Sequence, residues 1–191
     1  MTVVIAGSTG LVGSALSESF AAAGHDVVGL NRSVVDLLDL SATKRFILEI
    51  KPQMVIDAAA KVGGIQANNI YRADFIYQNL MIECNLTHGA YQAGINNLMS
   101  LGSSCIYPRD CPQPIKEESF LSGPLEDSNR AYSIAKIAGI ETCNALNRQY
   151  GCDFLAVMPT NVYGPEDNYD LLNAHAFPAI LRKAHEAKIS N

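Results

Sequence analysis

TVVIAGSTGLVG, residues 2–13, decides how the rest of this 191-residue chain is read. Residues 2–6 form a short β-branched run of the kind that makes a buried parallel strand. Gly7, Gly10 and Gly13 follow at once. A helix pattern then begins, with Leu11, Val12, Ala15, Leu16 and Phe20 on one face, and stops at Gly24. A glycine turn between strand and helix lets backbone approach a pyrophosphate, and the helix N-terminus offers free N–H groups and a positive dipole. A glycine triplet alone in a loop is a poor signal. In immediate succession with a strand and a helix it points to a dinucleotide site. The predicted fold is α/β, a doubly wound parallel sheet.

The chain continues in that pattern. Residues 26–30, 54–60, 97–102 and 154–158 read as four further strands, with 3-2-1-4-5 as the expected strand order. Residues 41–50 read as a short helix capped by Ser41, and the segment 61–69 as a polar, glycine-containing loop. Two long helices are predicted at 73–93 and 130–150, stopped by Gly94 and Gly151. The first is apolar on more than one face (Phe75, Ile76, Leu80, Met81, Leu86), which suits burial on the sheet and against a partner subunit. Pro108, Pro112, Pro114 and Pro124 mark 109–129 as a long surface loop of the length that often acts as a lid. A last helix pattern runs over 177–187.

Composition bounds the function. Hydrophobic residues make up 48% and charged residues 17%, an ordinary globular balance. A net charge of −5 gives no electrostatic reason to expect nucleic acid, and no apolar run approaches a membrane span, so neither partner is expected. The N-terminus has no basic signal-peptide region. Five cysteines, an odd number with no CxxC, fit a reduced cytoplasmic protein with free thiols, and no metal set is expected.

The chemistry centres on AYSIAKIAG, residues 131–139. Tyr132 and Lys136 stand at i and i+4 on one helix face, where an ammonium favours the phenolate and lowers the tyrosine's pKa. Taken alone, the pair could equally be a solvated helix face. The strand at 97–102 runs out into Ser103, Ser104 and Cys105, where site residues project in such sheets, and Ser103 can hydrogen-bond a substrate carbonyl. On spacing alone Cys105 reads as a small buried apolar side chain, and His175 as a surface or capping residue at a helix start. After the second strand the chain has Asn31 and Arg32 where NAD-selective sites usually carry an acid. A guanidinium there suits the 2′-phosphate of NADP, although Asp36 and Asp39 nearby keep NAD open.

GSTGLVG, GSSCIYP, the YxxxK pair and PTNVYGP together resemble the extended short-chain dehydrogenase/reductases, which implies a Rossmann-type domain. More narrowly, AAAKVGGIQANN, DFIYQNLMIECN, LGSSCIYP, AYSIAKIAGIE, NRQYG and MPTNVYGPEDN resemble the GDP-L-fucose synthase family, over essentially the whole chain. The resemblance implies NADPH-dependent 3,5-epimerisation and 4-reduction of GDP-4-keto-6-deoxy-D-mannose. It makes Cys105 the epimerisation base and His175 the acid, the 4-ketone having acidified C3 and C5. Ser103 and Tyr132 would bind the enolate oxygen, and Lys136 would tune Tyr132 and hold the nicotinamide ribose.

Cofactor contacts carry over to Gly7, Ser8, Thr9, Gly10, Leu11, Val12 and Gly13, to Leu101, Gly102, Ser103 and Ser104, to Lys136, to Pro159, Thr160, Asn161 and Val162, and to His175. Family members carry His-Arg where this chain has Ser8-Thr9, which shifts the NADP expectation onto Arg32. Lys183 falls where the family has a basic contact, usually arginine, to substrate phosphate.

The resemblance further implies a homodimer through the two long helices, an NADP-binding domain over 1–191, and the start of a substrate-binding region at 171–191. Members run on past the length of this chain, so much of the nucleotide-sugar pocket is expected to be absent. Two other readings stay open at this point. One is a related NAD(P)-dependent sugar epimerase or dehydratase, indifferent to Cys105→Ser. The other is a truncated, non-catalytic dinucleotide-binding module.

Overall fold

A computed structural model describes residues 1–171 and 174–190. Five parallel strands form one sheet: β1 (Thr2–Ala6), β2 (Asp26–Leu30), β3 (Met54–Asp57), β4 (Asn97–Leu101) and β5 (Asp153–Val157). Their order is β2-β1-β3-β4-β5, with Val4 opposite Val28 on one side and Val55 on the other.

The third strand therefore lies beyond β1, and not beyond β2 as the expected order 3-2-1-4-5 has it. The cause is local. After β2 the chain turns on itself: Asn31 Oδ1 accepts from the Ser33 amide, the Val34 amide returns to the Asn31 carbonyl, and the Leu38 amide bonds Asp36 Oδ1. Asn and Asp offering such side-chain acceptors favour turns over a ladder. Among the described residues no strand extends the sheet past β2, and the next one crosses to the free side of β1.

Helix α1 (Leu11–Ala22) covers one face. Val3, Ile5 and Ile56 are fully buried there, with Leu16 and Phe20 of α1 packed on them. The other face carries α2 (Leu40–Ile50), α4 (Arg72–Gln92) and α5 (Arg130–Tyr150) over Val4, Ala6, Val55, Leu98 and Phe154. Each large side chain buried this way contributes about 1.5–3 kcal/mol. Among the described residues no helix covers the first face over β4 and β5, where a groove is lined by Met54, Asn97, Met99, Asp153 and Leu155.

Three local readings need correction. Asp39, not Ser41, caps α2: its Oδ1 accepts from the Ser41 and Ala42 amides at 2.8 and 3.0 Å. Strand β3 stops at Asp57 instead of running to Ala60, because the Asp57 carboxylate takes the Ala59 amide at 3.0 Å and turns the chain. Within the predicted loop 61–69 a six-residue helix begins, α3 (Ile65–Ile70), with Asn68 Nδ2 donating back to the Gly63 carbonyl at 2.7 Å.

Helix α4 is buried on several sides, as its pattern requires, because it lies between α2 and α5. Its buried polar groups act as clamps. Asn79 bonds both the amide and the carbonyl of Lys61, and Asn85 donates to the Leu37 carbonyl at 2.8 Å. These bonds fix the loops that leave β3 and β2.

Candidate active site

The glycine turn lies at the carboxyl end of β1. Gly7 has φ 76°, and a Cβ there would stand 2.6 Å from the Ala58 carbonyl oxygen. Gly13 packs closer still: a Cβ would stand 2.1 Å from the Gly7 oxygen. Both glycines are demanded by the protein's own packing. Gly10 is not, since its added Cβ would meet only the Gly7 oxygen at 3.5 Å, an ordinary contact. Gly10 is exposed at the N-cap of α1, with no side chain satisfying the first amides of that helix. One glycine for the turn, one for open approach and one for helix–strand packing is the division of labour a pyrophosphate site requires. The turn fits a dinucleotide.

Tyr132 and Lys136 stand one turn apart at the start of α5. Lys136 is 3% exposed, and its Nζ donates to Glu83 Oε1 of α4 and to the Leu101 carbonyl at 2.7 Å. Glu83 Oε2 accepts from Ser100 Oγ of β4 at 3.1 Å. Gly139 makes the room: a Cβ there would stand 2.4 Å from Glu83 Oε2. Burial opposes the charge on Lys136, but Glu83, Tyr132 and Asp57 together raise its pKa. The ammonium is permanent in the ordinary pH range.

Tyr132 behaves differently from the expectation drawn from its spacing. Burial pushes the phenol's pKa up, and Lys136 pulls against it without winning, while Cys105, Glu83 and Asp57 reinforce the rise. The lysine's field is largely taken up by Glu83. Tyr132 is therefore a proton donor at neutral pH, and only an added positive charge or hydrogen-bond donor would make it a base.

Ser103 follows β4 and opens a short 3₁₀ turn, Ser104–Ile106. Its Oγ accepts from Cys105 Sγ at 3.2 Å, so the thiol is half-buried and aimed at the serine. Ser104 is exposed. Cys105 also acts electrostatically on Tyr132, which brings Ser103, Cys105, Tyr132 and Lys136 into one cluster. At Gly102 the chain passes β5, its amide bonding the Val157 carbonyl at 2.8 Å.

The remaining expected residues are not in that cluster. Pro159 is half-buried, whereas Thr160, Asn161 and Val162 are exposed. His175 is the exposed N-cap of α6 (Ala176–Ile189) and its side chain makes no capping bond. Lys183 is exposed on the same helix, while its neighbour Arg182 bonds Glu186 at 2.7 Å and the Tyr169 carbonyl at 2.9 Å. Arg32 is exposed beyond β2. In the expected substrate segment 171–191, Leu172, Asn173 and Asn191 lie outside the described residues.

Comparison with known proteins identifies the family. The model of the NAD dependent epimerase/dehydratase family matches residues 3–191. The chain belongs to that family. A GDP-L-fucose synthase of Sinorhizobium fredii is 51% identical over 187 residues, covering 98% of this chain and 60% of that protein. Among solved structures, a GDP-mannoheptose C4 reductase from Campylobacter jejuni with NADP bound is 37% identical with a TM-score of 0.90, covering 98% of this chain and 58% of that one. A GDP-L-fucose synthetase from Naegleria fowleri bound to NADP is 30% identical with a TM-score of 0.88, covering 99% and 63%. The chain thus spans roughly three fifths of the relatives it matches.

Within this family member, sequence reasoning missed Glu83, Ser100 and Asp57, all of them buried beside the Tyr132–Lys136 pair. Glu83 sits in LMIECN, an acid among apolar neighbours, and Asp57 closes the apolar strand MVID. A carboxylate inside an apolar run was the available signal, since buried acids need a partner.

Proposed function

We propose that this chain carries the cofactor-binding and acid–base part of an NADPH-dependent 3,5-epimerase-4-reductase acting on GDP-4-keto-6-deoxy-D-mannose. The observation that carries the reading is the cluster of Cys105, Ser103, Tyr132 and Lys136 at the carboxyl ends of the strands, the same edge of the sheet that carries the glycine turn. NADPH, when bound, supplies the reducing equivalent for C4. Gly10 leaves an open approach at the N-terminus of α1, where the first amides would hold its pyrophosphate. Arg32, exposed beyond β2, is the residue suited to the 2′-phosphate. Two donors of Lys136 are engaged, leaving the third for the nicotinamide ribose.

Epimerisation next to a ketone needs one group to remove a proton and a second to return it on the opposite face. Cys105 takes the first role and His175, brought in from α6, the second. Ser103 and Tyr132 donate to the ketone oxygen as negative charge builds on it. Tyr132, held protonated by its surroundings, then gives its proton to the C4 oxygen. Lys183 contacts the substrate phosphates as a point charge. Residues 171–191 begin the substrate-binding region. The domain pairs as a homodimer through α4 and α5, whose Tyr77 and Ile134 are exposed apolar side chains.

The test is NADPH consumption by the purified chain with GDP-4-keto-6-deoxy-D-mannose, beside Tyr132→Phe. Turnover lost in the variant supports the reading. Turnover that persists in Tyr132→Phe, or C3/C5 proton exchange that survives Cys105→Ser, overturns it. For the cofactor, Gly10→Ala loses the N-cap preference for glycine, so it should cost no more than about 1 kcal/mol of stability and weaken NADPH binding at least about tenfold. Unchanged affinity would place the pyrophosphate elsewhere.

A further inference from the structure

Behind the Tyr132–Lys136 pair the protein buries more negative charge than positive. Asp57 ends β3 and Ser100 lies opposite it on β4, so the two side chains enter the same layer beneath α4 and α5. Glu83 reaches this layer from α4 and Lys136 from α5. Their exposures are 0% for Asp57, 1% for Glu83, 2% for Ser100 and 3% for Lys136. The charged groups acting on Asp57 are Glu83 and Lys136; Tyr132 and Cys143 of α5 also feel its charge, and its β1 neighbour is Ala6. Two carboxylates against one ammonium leave one uncompensated buried charge, which is strongly destabilising. Taking up one proton removes it.

The hydrogen bonds indicate where that proton sits. Glu83 uses both oxygens as acceptors, one from Lys136 and one from Ser100. Asp57 Oδ1 accepts from the Ala59 amide, whereas Asp57 Oδ2 is buried with no partner among the described residues. A bare carboxylate oxygen is costly there, and a hydroxyl much less so.

We infer that Asp57 holds a proton as a neutral carboxylic acid and is a positioning residue, leaving Glu83 as the single counter-ion of Lys136. Burial, reinforced by Glu83 and opposed by Lys136 and the Ala59 amide, raises the Asp57 pKa to about 8. An ionised Asp57 would draw the ammonium toward β3 and add its own negative field at Tyr132. Kept neutral, it leaves Lys136 between Glu83, the Leu101 carbonyl and the tyrosine's side of α5. The consequence for catalysis rests on the function proposed above, but the proton itself does not.

The sign of the pH effect follows from linkage. Asp57 ionises near 3.8 when unfolded and near 8 when folded, so folding takes up a proton between these values. This contribution to stability is full below pH 4 and is lost as the pH rises toward 8.

Three measurements on the purified chain, none needing cofactor or turnover, test the inference. Infrared spectra at pH 6 should show the C=O stretch of a protonated carboxylic acid that fades as the pH passes 8 and is missing in Asp57→Asn. Between pH 5 and 7.5 the urea unfolding constant of the wild type should rise more steeply than that of Asp57→Asn, by up to about tenfold per pH unit. The tyrosinate titration assigned by Tyr132→Phe should move to lower pH in Asp57→Asn, because an anion beside the phenol is gone. A merely structural role would not move that midpoint. Should the Asn variant not fold, Glu83→Gln serves, since Lys136 then needs Asp57 ionised and the infrared band should disappear. A wild type without the band, a band retained in Asp57→Asn, parallel pH curves or an unmoved tyrosine midpoint overturns the inference.

Discussion

Helices α5 and α6 both carry residues expected to act in one site, and the chain holds them in opposite ways. On α5, Ser133, Ala135, Lys136, Gly139, Ile140, Cys143 and Leu146 are buried, and Lys136 is tied to α4 and β4 by its own ammonium. On α6 only Pro178 is buried; the helix is attached through the tilted ring contact of Tyr163 with Phe177 and the bond from Arg182 to the Tyr169 carbonyl. His175 and Lys183 stand exposed. Residues on α5 are placed by the protein's own packing, so they serve stability and chemistry at once. Those on α6 contribute almost nothing to folding, and their use is toward whatever binds.

Substitutions put the contrast between the two helices to the test. The largest effect belongs to the contact between α1 and the glycine turn. Gly13→Val puts side-chain atoms where a Cβ already stands 2.1 Å from the Gly7 oxygen, and should cost more than ~3 kcal/mol in urea unfolding. A variant as stable as the wild type would mean that α1 can move away from the turn.

Next comes Lys136→Met, which strands the Glu83 carboxylate and should destabilise by about 3–5 kcal/mol. Adding Glu83→Leu should restore most of that loss, because the charge pair is then gone as a unit. A double variant no better than the single one would show that the pair is not the source. Gly139→Ala pushes on Glu83 Oε2 and should cost about 1–3 kcal/mol, relieved in part by the shorter Glu83→Asp. The smallest effects lie on α6: His175→Asn and Lys183→Ala should each change stability by no more than about 0.5 kcal/mol. A larger loss from either, read by the same unfolding curves, would erase the contrast between the helices.

What the sequence disclosed follows the range of the forces involved. The glycine turn, the five strands and the two long helices are local patterns, and they were legible. The strand order depends on whether residues 31–39 turn or extend, and Asn31 and Asp36 tip that balance through bonds that periodicity does not register. The cap of α2 falls to Asp39 and not to Ser41, although Asp and Ser cap about equally well, so only the geometry separates them.

The Tyr132–Lys136 spacing was visible, but its electrical sense was not. That depends on Glu83, which reaches the lysine from a helix distant in the chain and absorbs the field the tyrosine was expected to feel. Cys105 and Ser103 stand within hydrogen-bond distance of each other, while the placing of His175 on an exposed cap reflects how few contacts tie α6 to the body.

Gly139 carries a consequence for how this sequence can change over time. Because the missing methyl of Gly139 is the space the Glu83 carboxylate occupies, the two positions are a single unit of variation divided between two helices. A lineage that gains a side chain at position 139 must first, or at the same step, shorten or discharge the residue at position 83, and that in turn releases Lys136 to find another anion. The glycine thus limits which orders of substitution are survivable, and the acid–base chemistry of α5 inherits that limit.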